Sequence, residues 1–289
     1  MSDAVATPSQ GPLAMICGGG ALPLAIADYV AARGRKVVLF PLIGAADGLP
    51  VENYPHHWIY IGQIGKFMRL ARAEGASDVV FIGALVRPRI LQTRPDLKAL
   101  MIMPRVLKAF RGGDDHLLTG MARLLEDEGF HLRGAHEVAP EILAPAGVLG
   151  SVQPSEADRA DIELGLDYLD AASPFDIGQA VAIANRHVLA VEAAEGTDQM
   201  LARVAELRAN GRVRSAKGRG VMVKAPKRHQ DRRFDLPSIG PRTVEGVAQA
   251  GLAGIAVVAG ATVVAEADKL LAAADRAGIF IVSVPERRS

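Results

Sequence analysis

An apolar run, a glycine-rich turn, an amphipathic helix and a second apolar run follow one another near the start of this chain, and that order permits few architectures. Leu13-Ala14-Met15-Ile16-Cys17 reads as a buried strand, and Gly18-Gly19-Gly20-Ala21-Leu22-Pro23 follows at once. A helix pattern with Leu24, Ile26, Ala27 and Val30 on its apolar side ends near Gly34, and Lys36–Phe40 is the next strand. Strand, turn, helix, strand units of this kind build parallel sheets, so the expected class is α/β.

The glycine turn partly matches a dinucleotide-binding fingerprint. Gly18 and Gly20 have the G-x-G-x-x-G spacing, but Pro23 occupies the place of the third glycine. No carboxylate closes the second strand, where Phe40 is followed by Pro41 and Leu42, so a ribose-binding acid is missing. What remains is general physics: glycines let amides approach a ligand, and helix starts attract anions. Gly19, Gly20, Ala21 and Leu22 are therefore candidates for a nucleotide or phosphate cradle without nicotinamide chemistry. A tight turn with no ligand is the competing reading.

Trp58–Ile61 is expected as a third strand and Asp78–Ile82 as a fourth, with Gly83 at its carboxyl end. Ligands of open parallel sheets sit outside the carboxyl ends of strands, where Gly20, Gly62 and Gly83 would fall. Arg87-Pro88-Arg89 is either a phosphate-facing loop or an exposed turn. Asp114 and Asp115 open a later helix; they cap it, or they bind sugar hydroxyls or a metal.

Composition narrows the function. The 289 residues suit one large or two ordinary domains, and a 49% hydrophobic, 22% charged chain is globular. A net charge of +1 and 4% aromatic residues argue against nucleic-acid binding. One cysteine excludes an internal disulfide framework and fits a reducing compartment. No secretory signal or membrane span is visible, so the expected location is the cytoplasm.

Residues 12–140 form the expected first domain. The Ala-, Pro- and Gly-rich stretch 141–154 is the expected linker, and 155–289 the second domain. That domain opens with a helix from Ser155 to about Ala172, carrying a serine cap and early acids. Gln179–Ile183 and Val188–Val191 read as paired strands, and the second of these is expected to pair with Val221-Met222-Val223. Glu192–Asp198 leads into a helix, where its acids cap the start or present ligands. Lys224–Pro241 then crosses from a strand to a helix with five cations, two carboxylates and three prolines. It reads as a solvated connector or as a phosphate site.

Four stretches in order, Gly18–Pro23, Asp176-Ile177-Gly178-Gln179, Glu192–Asp198 and Lys224–Pro241, resemble one family. The last is the most specific: Val223-Lys224-Ala225-Pro226-Lys227, a spacer, then Arg233-Phe234-Asp235-Leu236-Pro237-Ser238-Ile239-Gly240. The family is the metal-dependent UDP-2,3-diacylglucosamine pyrophosphatases of lipid A biosynthesis, of the type unrelated to calcineurin-like phosphoesterases. The likeness runs from about Leu13 to Val284. His229 beside Arg228 departs from the small residues that the family more often carries there.

The resemblance implies a Rossmann-like first domain and a second domain for catalysis and the lipid substrate. The implied reaction is Mg²⁺-assisted hydrolysis to UMP and 2,3-diacylglucosamine 1-phosphate. Asp235 then positions Mg²⁺ or activates water, Lys224 and Lys227 compensate diphosphate charge, and Glu195 or Asp198 adds a metal ligand. Gly83, Asp114, Asp115, Gln179, Gly196 and Thr197 join the glycine turn as substrate-binding candidates. Peripheral contact with the inner membrane and a homodimer are expected with it. Two rivals stand beside this reading. One is a nucleotide-sugar transferase or oxidoreductase; the other is a non-catalytic protein that binds a nucleotide sugar or lipid.

Overall fold

The computed structural model describes residues 11–83, 94–101, 114–175, 177–228, 231–233 and 236–287, with backbone alone at 114–119 and 121. Asp176, Asp235 and the Arg87-Pro88-Arg89 loop lie outside them. The chain divides into two compact units, one of Met1–Pro140 with Asp231–Asp235, the other of Glu141–Gln230 with Leu236–Ser289.

The first unit is built on β1 (Leu13–Cys17), α1 (Leu22–Ala32), β2 (Val37–Pro41), α2 (Ile64–Ala73), β3 (Asp78–Ile82), α3 (Asp114–Asp127), β4 (His131–Arg133) and the short α4 (Ala135–Val138). Its four strands are parallel, in the order β2-β1-β3-β4. β1 and β2 are buried throughout, as near-continuous apolar strands covered on both faces must be. Ala14, Ile16, Val38, Phe40 and Val79 share one core with Phe67 and Met68 of α2 and Leu124 and Leu125 of α3. The Phe67 ring meets Phe40 edge-on at 4.8 Å.

Trp58–Ile61 does not form the expected strand. Residues 55–59 run parallel to β2 through isolated bridges, Leu39 to His56 and Leu42 to Ile59. Proline interrupts the ladder on both sides. Pro41 and Pro55 have no N–H and act only as acceptors, from Ile59 N at 3.1 Å and Leu39 N at 2.8 Å.

The second unit contains β5 (Gly147–Val148), α5 (Glu156–Ala172), β6 (Ala180–Ala184), β7 (His187–Val191), α6 (Thr197–Ala209), β8 (Val221–Lys224), β9 (Ser238–Ile239), α7 (Pro241–Gln249), β10 (Gly254–Val258), β11 (Val263–Val264), α8 (Ala267–Ala277) and β12 (Phe280–Val284). Its six-stranded sheet has the order β5-β12-β10-β8-β6-β7; β12, β10 and β8 are parallel, and the outer strands antiparallel. β9 and β11 form a separate parallel pair.

Strand alternation sorts the side chains into two layers. Ala180, Ala182, Met222, Ile255 and Val257 pack with α6, α7 and α8, while Val181, Ile183, Val223, Ala256 and Val282 pack with Ile162, Leu166 and Leu169 of α5. Ser155 caps α5 reciprocally with Asp158. Asn185 and Arg186 turn the β6–β7 hairpin at φ 53° and 59°. The buried Asp161 carboxylate accepts both turn amides, at 2.9 and 2.6 Å.

Two expectations change here. The stretch 141–154 holds an edge strand, β5, whose Val148 and Gly147 pair with Val282 and Ser283 of β12. β7 does not pair with β8, because β6 lies between them; a tight hairpin puts β7 on the far side of its own partner.

Candidate active site

In the first unit the strand order reverses at β1, since β2 lies on one side of it and β3 on the other. The loops after β1 and β3 therefore meet at a topological switch point. Gly18 N donates to Ile82 O at 2.8 Å, and the two glycine turns touch. Gly83 has φ +102°, and a Cβ there would lie 2.7 Å from Gly19 O and 2.9 Å from Gly18 C. Only glycine permits that approach.

Gly20, at φ +95°, is exposed, and no atom would stand within 4 Å of a Cβ there. α1 begins at Leu22 with no side-chain cap and no acid in its first turn. Gly19, Gly20, Ala21, Leu22 and Gly83 are thus brought together at one end of the sheet. Asp114 and Asp115 open α3, and their side chains lie outside the described residues.

In the second unit the carboxyl end of β8 faces the start of α6. Lys224 Nζ donates to Thr197 Oγ1 at 3.0 Å, and Thr197 Oγ1 donates to Glu192 Oε1 at 2.8 Å. Gln179 ties this cluster together through its backbone. Its N–H donates to Glu192 Oε2 and its carbonyl accepts from Ala225 N, both at 3.0 Å. Gly196, at φ +80°, precedes Thr197 and leaves the helix without a side-chain cap. Lys227 is half-buried three residues beyond Lys224.

The other two acids of this stretch point elsewhere. Glu195 pairs with Arg203 at 3.1 Å, and Asp198 with Arg242 at 2.6 Å. Glu192, and not Glu195 or Asp198, shares the cluster with Lys224. A strand signal singles it out: Glu192 directly follows β7 and continues the hairpin ladder, its N–H on Ala180 O at 2.9 Å.

Two cations beyond Lys227, Arg228 and Arg233, are tied into the scaffold. Arg228 pairs with Asp170 through Nε and Nη2, and its backbone N–H donates to Ser173 Oγ at 2.9 Å. Asp231 accepts from the Arg233 backbone N–H at 3.0 Å and from its guanidinium at 2.8 Å. That bonding holds the Asp231 carboxyl below the usual aspartate range against the opposing effect of burial. Arg233 also reaches Glu126 at 2.7 Å. Asp231 thus forms an ion pair with Arg233.

Among the described residues no three of His, Cys, Asp and Glu gather as a metal would require. With Glu195 and Asp198 each on an arginine, the described part of the chain does not assemble a protein-only cage. Asp235 is the remaining member of the three carboxylates that the family resemblance assigns to the metal.

Two α/β units, one with a glycine switch-point turn and the other with a lysine, threonine and glutamate in a hydrogen-bonded row, define a two-unit protein of the α/β class. Comparison with known proteins places it further. Residues 12–142 match the LpxI N-terminal domain and residues 145–282 the LpxI C-terminal domain, so the chain belongs to the LpxI family. It is similar to the UDP-2,3-diacylglucosamine pyrophosphatase LpxI of Caulobacter vibrioides, with 42% identity over 277 residues, 96% of this chain and 99% of that protein.

Proposed function

We propose that this protein hydrolyses the pyrophosphate bond of UDP-2,3-diacylglucosamine, giving UMP and 2,3-diacylglucosamine 1-phosphate. The observation that carries the reading is the near-full-length identity with a pyrophosphatase of that name. The lysine cluster supports it, since diphosphate cleavage needs cations to balance charge on the oxygens and a group that orients water.

In this reading Lys224 and Lys227 face the diphosphate, and Asp235 orients or deprotonates the attacking water. The turn from Gly19 to Leu22, with Gly83 against it, offers backbone amides to the nucleotide's phosphate. Gln179, Gly196 and Thr197 shape the wall beside Lys224, and Asp114 and Asp115 are assigned to the sugar. Mg²⁺ commonly binds through one or two carboxylates, substrate phosphates and waters, so Asp235 alone among the three proposed ligands suits it. When bound, the ion would supply charge neutralisation at the phosphate oxygens.

The deciding assay is UMP release by the purified protein in Mg²⁺ and in EDTA. Release in Mg²⁺ that falls to background in EDTA is expected. A folded protein that binds UDP-2,3-diacylglucosamine and releases nothing in either buffer would replace the enzyme by a binding protein.

A diacylated substrate resides in a lipid surface, and we assign the protein a peripheral contact with one. Among the described residues no helix is long and apolar enough to cross a membrane. Leu97, Leu100 and Met101, on one helical segment, are 75%, 53% and 71% exposed. Asp96 anchors that segment by accepting Ala99 N at 2.9 Å and Lys66 N at 3.0 Å. Flotation with phospholipid vesicles is expected for the wild type and not for Leu97→Asp/Met101→Asp. Equal flotation of the two would remove this face from the proposal.

A further inference from the structure

We infer that Glu192 is a positioning residue, which sets the direction of the Lys224 ammonium through the Thr197 hydroxyl. The inference deepens the proposed function and rests on it for the consequence in turnover. Its ground is the polarity of the hydrogen bonds. A threonine hydroxyl has one proton and two lone pairs, a carboxylate only accepts, and an ammonium only donates. With Glu192 Oε1 at 2.8 Å the Thr197 proton is committed to the carboxylate, and the lone pairs turn to Lys224 Nζ at 3.0 Å. Without the carboxylate the hydroxyl rotates freely, and the lysine loses a fixed acceptor.

Glu192 can act this way because its own place is set on every side. Its N–H donates to Ala180 O at 2.9 Å, and its carbonyl accepts from Gly178 N at 3.0 Å. The second carboxylate oxygen takes the Gln179 N–H at 3.0 Å. Gly178 leaves the room required: a Cβ there would stand 2.4 Å from Glu192 Cγ and 2.6 Å from its carbonyl oxygen. The Ile177-Gly178-Gln179 motif and the Glu192–Asp198 motif therefore serve one purpose, which their separation in sequence hides. Glutamine at 192 keeps the shape but cannot accept from both Thr197 and Gln179; valine at 197 keeps the shape and removes the hydroxyl.

The test reads the lysine directly. The full-length protein is acylated with an N-hydroxysuccinimide acetate ester, and the rate at Lys224 is followed by peptide mass spectrometry, with Lys269 as internal reference. Glu192→Gln and Thr197→Val are expected to raise the Lys224 rate about threefold or more, the effect of losing one hydrogen bond, while Thr197→Ser stays at the wild-type rate. UMP release is expected to fall about tenfold in either variant, mainly in kcat, and adding Glu192→Gln to Thr197→Val should change nothing more. Equal Lys224 rates in wild type and both variants would overturn the inference, as would effects on turnover that multiply. If Glu192→Gln impairs folding, the Thr197 valine and serine pair decides alone. Faster acylation with unchanged turnover would uphold the positioning and remove Lys224 from the proposed reaction instead.

Discussion

Asp235→Asn is expected to lower UMP release by about a thousandfold or more while leaving the thermal midpoint unchanged, the range seen when a catalytic base or metal-holding carboxylate is neutralised. Asparagine matches aspartate in shape and keeps one acceptor oxygen, but it cannot take a proton and carries no charge for a cation. The chain on both sides of residue 235 is anchored by other groups. Arg233 is held by Asp231 and Glu126. On the other side, Pro237 O accepts Val263 N at 2.8 Å and Ile239 O accepts Ala265 N at 2.9 Å, locking β9 beside β11. Steady-state kinetics and a melting curve on the same preparation read both halves of the expectation. Full turnover in Asp235→Asn would take the residue out of the mechanism.

The second large effect belongs to Gly83. Gly83→Ala should cost about 3 kcal/mol or more of stability and raise KM, because two penalties coincide. The backbone sits at φ +102°, a region that strains a side-chain-bearing residue by about 1–3 kcal/mol. In addition the new methyl would collide with backbone at Gly18 and Gly19, and overpacking adds about 1–3 kcal/mol. Backbone cannot swing aside as a side-chain tip can, so the β1 turn itself must move. Gly20→Ala is the matched control: it carries the strain of φ +95° but meets no atom within 4 Å. It should lose only about 1–2 kcal/mol. Urea unfolding and KM measured for both variants separate strain from collision. Equal losses would mean that the two glycine turns do not brace each other.

The readable parts of the sequence were those with a strong local period or cap. The β1–turn–α1–β2 succession, the Ser155 cap and the β6–β7 hairpin each follow from patterns within a few residues. What escaped was decided by distant partners. β5 and β9 are two residues long, too short to show alternation, and they exist because β12 and β11 offer free edges. Residues 55–59 look like a strand by composition, yet prolines on both chains thin their ladder to bridges. The same limit applied at the site. Lys224 and Thr197 were legible through motif likeness, but three acids near the start of α6 are equivalent in sequence. Arg203 and Arg242 claim two of them, from positions that no motif marks.

The pairing of β5 with β12 also bears on how the molecule is made. β12 (Phe280–Val284) is the last strand of its sheet in chain order, yet it lies inside the sheet between β5 and β10. Within its sheet this strand is made after all the others, and β5, synthesised more than a hundred residues earlier, waits for it with an open edge. Domains otherwise tend to fold in the order of their synthesis, and such long-range pairing is slow. The second unit completes its sheet only once β12 has been made, so its nascent edge stays open for longer than that of a unit closed by local hairpins.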